Sequence, residues 1–326
     1  MAIKAESTAM LESKTIVVAL GGNAILQPGH KGTFDEQNEA VKLTCEELAE
    51  LVEHGNHLVV THGNGPQVGN ILIRHEMASK AVPPMPLDVC GAESQGQIGY
   101  MIQRNLRNAL RSRHIDRGVM TIITQTIVSS DDPAFRNPTK PIGPFYSRDE
   151  AMRAMADKGE RWVEDSGRGW RKVVPSPDPI TIVERDAIKK LLLERNIVIA
   201  SGGGGIPVVE TADGRLRGVE AVIDKDLAAQ RLAAAVDASV LMILTDVHKV
   251  SLNYHTPNQN DLDQITSSEA RQFIAQGHFP PGSMLPKVLA AVRFVENSGD
   301  FAIICSLDQA LEALEGRAGT RIVGGD

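Results

Sequence analysis

The stretch Ile16-Val17-Val18-Ala19-Leu20-Gly21-Gly22-Asn23-Ala24 carries five apolar residues straight into a Gly-Gly-Asn turn. An apolar run without alternation suits a parallel strand covered on both faces, and sheets of that kind bind ligands beyond the carboxyl ends of their strands. Gly21 and Gly22 therefore fall where a ligand would sit. Two later runs end the same way: residues 58–61 lead into His62-Gly63-Asn64-Gly65-Pro66, and residues 197–200 into Ser201 and the four glycines 202–205. Glycine lets backbone N–H groups approach an anion with no side chain between them. Three such loops on one sheet edge imply a small, highly charged ligand. A branched side chain at Gly22 would block such a nest and would suit poorly any φ > 0 position there.

Around these loops the α/β rhythm is regular. Residues 34–54 form an amphipathic helix with Gly55 closing it, and a second helix starts near Pro66. Asp88 is placed to cap a long helix reaching Arg113, with an apolar face at Ile98, Met101, Ile102, Leu106 and Leu110 that suits the sheet or a second subunit. Residues 120–128 read as one buried strand. Helices follow at 184–195 and from Asp224 to about Val236, then strand 240–244, helices 267–276 and 284–297, strand 301–305, helix 307–315 and strand 320–323. Repeated strand–helix crossovers predict an α/β fold with a mainly parallel sheet.

At 326 residues the chain is long for a single core, so two domains are expected, with the break near 180. Residues 1–14 read as a frayed extension, 15–179 as an N-terminal lobe and 180–326 as a C-terminal lobe. Residues 131–179 form an insertion within the first lobe. It holds prolines at 133, 138, 141, 144, 175, 177 and 179, and also Phe145, Tyr146, Trp162 and Trp170. Aromatic residues need something to pack against, so the segment reads as a lid or binding arm rather than a plain connection.

The 34 basic and 41 acidic residues give a net charge of −7. No long basic stripe is present, which argues against nucleic acid and for a small-molecule partner. No apolar run near a terminus is long enough for a signal segment or membrane span, so a cytoplasmic protein is expected. Cys45, Cys90 and Cys305 are far apart and include no C-x-x-C, which favours buried free thiols over disulfides or a zinc site.

Spacing then removes several chemistries. After the first strand there is no G-x-G-x-x-G, and Pro207 stands where the third glycine of the later loop belongs. The dipeptide Gly-Lys of a Walker loop is absent, and Ser201 lacks the preceding glycine of a nucleophile elbow. What remains is phosphate handling by backbone, with cations supplied from elsewhere. Phosphoryl transfer suits that, because it depends on positioning and charge cancellation. Lys225 lies between Asp224 and Asp226 at a helix start, where the dipole disfavours a cation. Lys140 follows Asn137-Pro138-Thr139, and Lys287 follows Gly282-Ser283-Met284-Leu285-Pro286. Each alone is unremarkable, but three lysines at rigid turns form a set.

Together these segments resemble the carbamate kinases, members of the amino-acid kinase family. The resemblance rests on residues 19–24, His62 to Gly69, Asn137 to Pro141, Gly167 to Arg171, Gly202 to Pro207, Val222 to Asp226 and Gly282 to Lys287, and it spans about residues 14–323. The proline-rich insertion with Lys140 sets carbamate kinases apart from related acid kinases. It implies a three-layer αβα sandwich and phosphoryl transfer between ATP and carbamate, with Mg²⁺ on the nucleotide phosphates and no metal held by the protein.

The resemblance also implies residue roles. Gly21, Gly22 and Asn23 with Gly63, Asn64 and Gly65 would cradle carbamate and the phosphoryl group. Lys140, Lys225 and Lys287 would offset its charge, with Asp226 holding the lysines in place. Gly203, Gly204, Asp224, Thr245, Asp246, Tyr254 and Met284 would hold the nucleotide in the C-terminal lobe. Relatives usually keep a lysine in the first strand; here Ala19 stands there, which implies that Lys140 takes over its duty. His248 departs from the family, which commonly has an acid there. A homodimer in arginine catabolism is the usual setting. Two alternatives stay open: another acid kinase, such as one acting on acetylglutamate, and a non-catalytic nucleotide sensor.

Overall fold

Strand β1 (Thr15–Leu20) sends its side chains into two separate cores: Ile16, Val18 and Leu20 enter one, Val17 and Ala19 the other. That double burial is why the run is apolar throughout instead of alternating. The structure, a computed structural model, describes residues 13–325 apart from Pro28, Ser166, Arg168 and Ser298. Of the expected N-terminal extension, residues 1–12 lie outside the described residues.

After β1 come α1 (Phe34–Glu53), β2 (His57–His62), α2 (Gly65–Ala78), α3 (Leu87–Ser112), β3 (Val119–Thr121) and β4 (Gln125–Val128). The insertion contributes β5 (Lys140–Tyr146), α4 (Arg148–Lys158), β6 (Trp162–Glu164) and β7 (Trp170–Val174). Next are β8 (Pro179–Ile182), α5 (Arg185–Leu193), β9 (Ile197–Ile199), β10 (Ile206–Glu210), β11 (Leu216–Gly218), α6 (Lys225–Ala235) and β12 (Val240–Thr245). The chain ends with β13 (Ser251–Leu252), β14 (Asn260–Asp261), β15 (Gln264–Thr266), α7 (Ser267–Ala275), α8 (Met284–Glu296), β16 (Phe301–Ser306), α9 (Ala310–Leu314) and β17 (Thr320–Val323).

The main sheet has the order β15-β17-β16-β12-β1-β2-β9-β3, and every neighbouring pair is parallel except β16 with β17. Side chains of α1, α3 and α9 pack on one face, and those of α5 to α8 on the other. This is the expected α/β sandwich of three layers. The face of α3 at Ile98, Met101, Ile102, Leu106 and Leu110 lies on the sheet. The proposed lobes share that sheet, because β9 from residues 180–326 sits between β2 and β3. Strand order reverses beside β1, with β2 on one side and β12 on the other, and the crevice at such a reversal is where ligands bind.

Two local expectations are corrected. Residues 120–128 are two strands in two sheets, since β4 belongs to a smaller sheet of order β11-β10-β4-β8. Gln95 sits at the break: its side chain accepts from Thr124 N–H at 2.8 Å and donates to Thr124 O at 3.0 Å, an oxygen that also accepts from Ile206 N–H of β10 at 2.9 Å. A β-branched run carries no trace of this, and the strands β10 and β11 behind the glycine loop were equally unforeseen. Asp88 does not cap α3, whose N-cap is Pro86; it lies in the first turn, where its charge favours the helix dipole.

The insertion is an ordered antiparallel sheet, β5-β7-β6, with α4 beside it. Its aromatics pack as their size demands: Tyr146 meets Trp162 edge to face, ring centres 5.1 Å apart. It rests on α2 backbone to backbone, for a Cβ on Gly69 would lie 2.6 Å from the Cα of Gly143.

Candidate functional site

The loops after β1, β2 and β9 stand side by side because their strands do. Gly22 opens a short 3-10 turn after β1, and a Cβ there would meet nothing within 4 Å. It is not at positive φ, so the expected backbone demand at Gly22 is not met; only the open space remains. The left-handed positions lie instead in the third loop, at Gly203 (φ +65), Gly204 (φ +92) and Gly205 (φ +85). There the missing Cβ also makes room, since one on Gly203 would lie 2.2 Å from Asn64 Nδ2 and one on Gly204 2.5 Å from the Ile223 carbonyl. Asn64 is held from behind by donating to Ser94 Oγ at 2.8 Å.

His62 fixes the second loop. Burial pushes its pKa down to about 4, more than its bond to Gly63 raises it, so the ring is neutral. Its Nδ1 must then donate to the Gly63 carbonyl at 2.9 Å, which leaves the Nε2 lone pair facing Gly202. Gly63 in turn lies under Lys225, whose Cδ would be 3.5 Å from a Cβ there, beside the backbone nitrogen of Gly22.

The cations are organised by two aspartates of one helix start. Asp224 caps α6, accepting from Asp226 N–H at 3.0 Å through one oxygen, while its other oxygen accepts from Lys140 Nζ at 2.8 Å. Asp226 divides its oxygens in the same way, one to Lys225 Nζ at 2.5 Å and one to Lys287 Nζ at 3.0 Å. Its side chain is only 4% exposed. Burial alone would raise its pKa, but the two ammonium groups overcome that and hold the carboxyl ionised, well below the usual range. Lys225 is pulled below the ordinary lysine value, chiefly by burial and partly by the charge of Lys287, with Asp226 opposing. Three lysines against two aspartates leave one net positive charge, which suits an anionic ligand.

These groups border a cavity of about 280 Å³, lined by Gly22, Gly63, Asn64, Gly65, Lys140, Gly203, Asp224, Lys225, Asp226 and Lys287. A smaller one, about 150 Å³, is lined by Thr245, Asp246, Tyr254 and Met284. Ser283 and Lys287 border both, so the two form one bipartite site. Of the residues singled out in the sequence, Gly21, Asn23 and Gly204 line neither cavity. Gly21 instead ties the first loop to β12, donating to the Leu244 carbonyl at 2.9 Å. Sequence reasoning missed Ser283 at the junction, although it lies in the glycine–proline turn before Lys287. It also missed Lys249, His278 and Phe279 of the smaller cavity, although His278 and Phe279 stand between Gly277 and Pro280 in the same glycine–proline stretch.

Comparison with known proteins points one way. The amino acid kinase family profile matches residues 14–306. The chain is 53% identical over 312 residues to a carbamate kinase of Pyrococcus furiosus, covering 95% of this chain and 99% of that one. It is 50% identical over 313 residues to one from Clostridium perfringens, covering 94% and 99%. Among solved structures, carbamate kinase from Giardia lamblia bound to AMP-PNP superposes with a TM-score of 0.90 at 45% identity, covering 96% of this chain and 99% of that one.

Proposed function

The chain belongs to the amino acid kinase family, and within it to the carbamate kinases, and from that premise we propose how it moves a phosphoryl group between ATP and carbamate, giving carbamoyl phosphate and ADP. The observation that carries the reading is the cluster of Lys140, Lys225 and Lys287 around one cavity, fixed by Asp224 and Asp226. In the forward direction a carbamate oxygen attacks the γ-phosphorus, and the bond from phosphorus to the ADP oxygen breaks. Carbamate presents an anionic oxygen already, so no proton must be removed and Asp226 acts on the lysines rather than as a base. The lysines gather the charge of the equatorial oxygens, a task worth most where water is excluded.

In this division of labour the first two loops (Gly21, Gly22, Asn23, Gly63, Asn64 and Gly65) hold carbamate and the transferring group. Residues of the other lobe (Gly203, Gly204, Asp224, Thr245, Asp246, Tyr254 and Met284) hold the nucleotide; Thr245, Asp246, Tyr254 and Met284 line the smaller cavity beside Lys287, and Gly203 and Asp224 line the main one. Mg²⁺ fits as a companion of the nucleotide phosphates, where it would neutralise charge. The oxygens of Asp224 and Asp226 already face a backbone N–H and three lysines, which leaves them no set of ligands for a protein-held ion. The 131–179 segment acts as a lid carrying Lys140. Net ATP formation during arginine breakdown, a cytoplasmic setting and a homodimer complete the proposal. No helix among the described residues is long and apolar enough to cross a membrane.

The test is ATP formation from carbamoyl phosphate and ADP by the purified protein, run beside phosphorylation of acetylglutamate by ATP. Activity in the first and none in the second is expected. The reverse pattern would assign another acid kinase, and binding of nucleotide without turnover would assign a sensor.

A further inference from the structure

Outside the lysine cavity, the last turn of α2 and the start of α3 bring three different ligand-type side chains together. His75 lies in the last turn of α2, and Cys90 and Glu93 are three residues apart on one face of α3. His75 Nε2 is 2.9 Å from Glu93 Oε1, and the ligand atoms of all three residues lie within 4.8 Å of one another. Among the described residues no other group of three such side chains is this compact.

We propose that His75, Cys90 and Glu93 form a binding site for a borderline-soft divalent cation of the zinc class. Ligand atoms around tetrahedral zinc stand about 3.3–3.8 Å apart, given Zn–N and Zn–S lengths of about 2.0 and 2.3 Å. The three ligand atoms, all within 4.8 Å of one another, have to close up by roughly 1 Å to reach it. Its chemistry also selects: one nitrogen, one sulfur and one carboxylate oxygen suit zinc, whereas Mg²⁺ takes oxygen ligands alone. Access is open on one side, since the His75 and Glu93 side chains are 21% and 43% exposed while Cys90 is buried behind them. Burial first, and then the negative charges of Glu93, Asp88 and Glu220, push the Cys90 thiol up to about 11, so without a cation it keeps its proton. On binding, the Cys90 Sγ–H bond breaks, its proton goes to solvent and a metal–sulfur bond forms. The His75 Nε2 proton moves to Nδ1 by way of water, and the fourth coordination position is left to water.

The cysteine spacing argues against a zinc site; this proposal departs from that expectation because its set uses a single cysteine and is assembled between two helices. The ion would pin the end of α2 to α3. The same helix begins at Gly65 beside the cavity and carries Gly69, the contact for the insertion. The site is therefore a clamp on the helix on which the arm rests.

The test uses the full-length protein without nucleotide, titrated with Co²⁺ as the probe, and Zn²⁺ in a thermal-shift assay. One Co²⁺ per chain with a thiolate-to-cobalt charge-transfer band is expected, together with a Zn²⁺-dependent rise in Tm. Both should be lost in Cys90→Ser. Glu93→Gln, whose side chain is half-exposed and tolerant of change, should weaken Co²⁺ binding tenfold or more. Absence of the band at excess metal, or a band that survives Cys90→Ser and so belongs to Cys45 or Cys305, would overturn the assignment. None of these readouts depends on catalysis, so they stand apart from the kinase reading.

Discussion

Lys140 of the insertion and Asp224 at the start of α6, 84 residues apart in the chain, are joined by a 2.8 Å ion pair at the mouth of the main cavity. The lysine side chain remains 35% exposed, the most accessible of the three cations, so it is the one a closing arm would bring to the phosphoryl group. Lys140→Ala should lower kcat roughly a hundredfold, about 3 kcal/mol, with the KM for ADP little changed. Steady-state kinetics with carbamoyl phosphate and ADP decide it. Unchanged kcat with weakened nucleotide binding would make the arm a clamp on ATP.

Asp226→Asn should lower both kcat and stability, because it leaves two buried ammonium groups without their shared counter-ion. Breaking a buried pair costs about 3–5 kcal/mol. The folded-state pKa of Asp226 is depressed, so its contribution is full above the unfolded carboxylate value, about 4, and fades as pH falls through the folded value near 2. Urea unfolding of wild type and variant across that range should show the stability gap closing only on the acid side.

The alkaline limb of kcat should reflect Lys225. Its pKa lies below the ordinary lysine value of 10.5, so activity should fall with rising pH before a surface lysine would titrate. In Asp226→Asn the limb should move to still lower pH, because the carboxylate is what supports the charged ammonium. A kcat profile that is flat up to pH 10.5 would remove Lys225 from the charge-bearing set.

Glycine positions separate function from folding. Gly22→Val should leave Tm within a few degrees and abolish turnover, because a Cβ there meets nothing and would project into the anion nest. Gly203→Val should destabilise the protein outright, since it combines φ +65 with collision against Asn64. Thermal melts beside activity assays distinguish the two; equal melting losses would contradict the geometry.

How much of this was legible in the sequence depended on whether the signal was local. Ile16 to Leu20 announced a doubly covered parallel strand because burial on both faces leaves an unbroken apolar run. The cation set could be picked out because glycine and proline flank Lys140 and Lys287, although neither lies in a turn: Lys140 opens β5 and Lys287 lies in the first turn of α8. The split of residues 120–128 could not be seen, because it is set by distant partners: β3 pairs with β9, β4 pairs with β10 and β8, and Gln95 from α3 binds Thr124 between them. The pairing of Lys140 with Asp224, and the sharing of Asp226 between Lys225 and Lys287, are likewise tertiary facts. For the same reason Gly204 could be singled out as part of a loop while its close approach to the Ile223 carbonyl stayed hidden.

The central claim is direct phosphoryl transfer between carbamoyl phosphate and ADP under the three lysines, and phosphorus-31 NMR follows it atom by atom. Wild-type protein given carbamoyl phosphate, ADP and Mg²⁺ should convert the carbamoyl phosphate signal into the γ-phosphate of ATP, and Lys140→Ala should do so roughly a hundredfold more slowly. Appearance of inorganic phosphate without ATP above the uncatalysed rate, or wild-type transfer in the Lys140→Ala protein, would contradict the account.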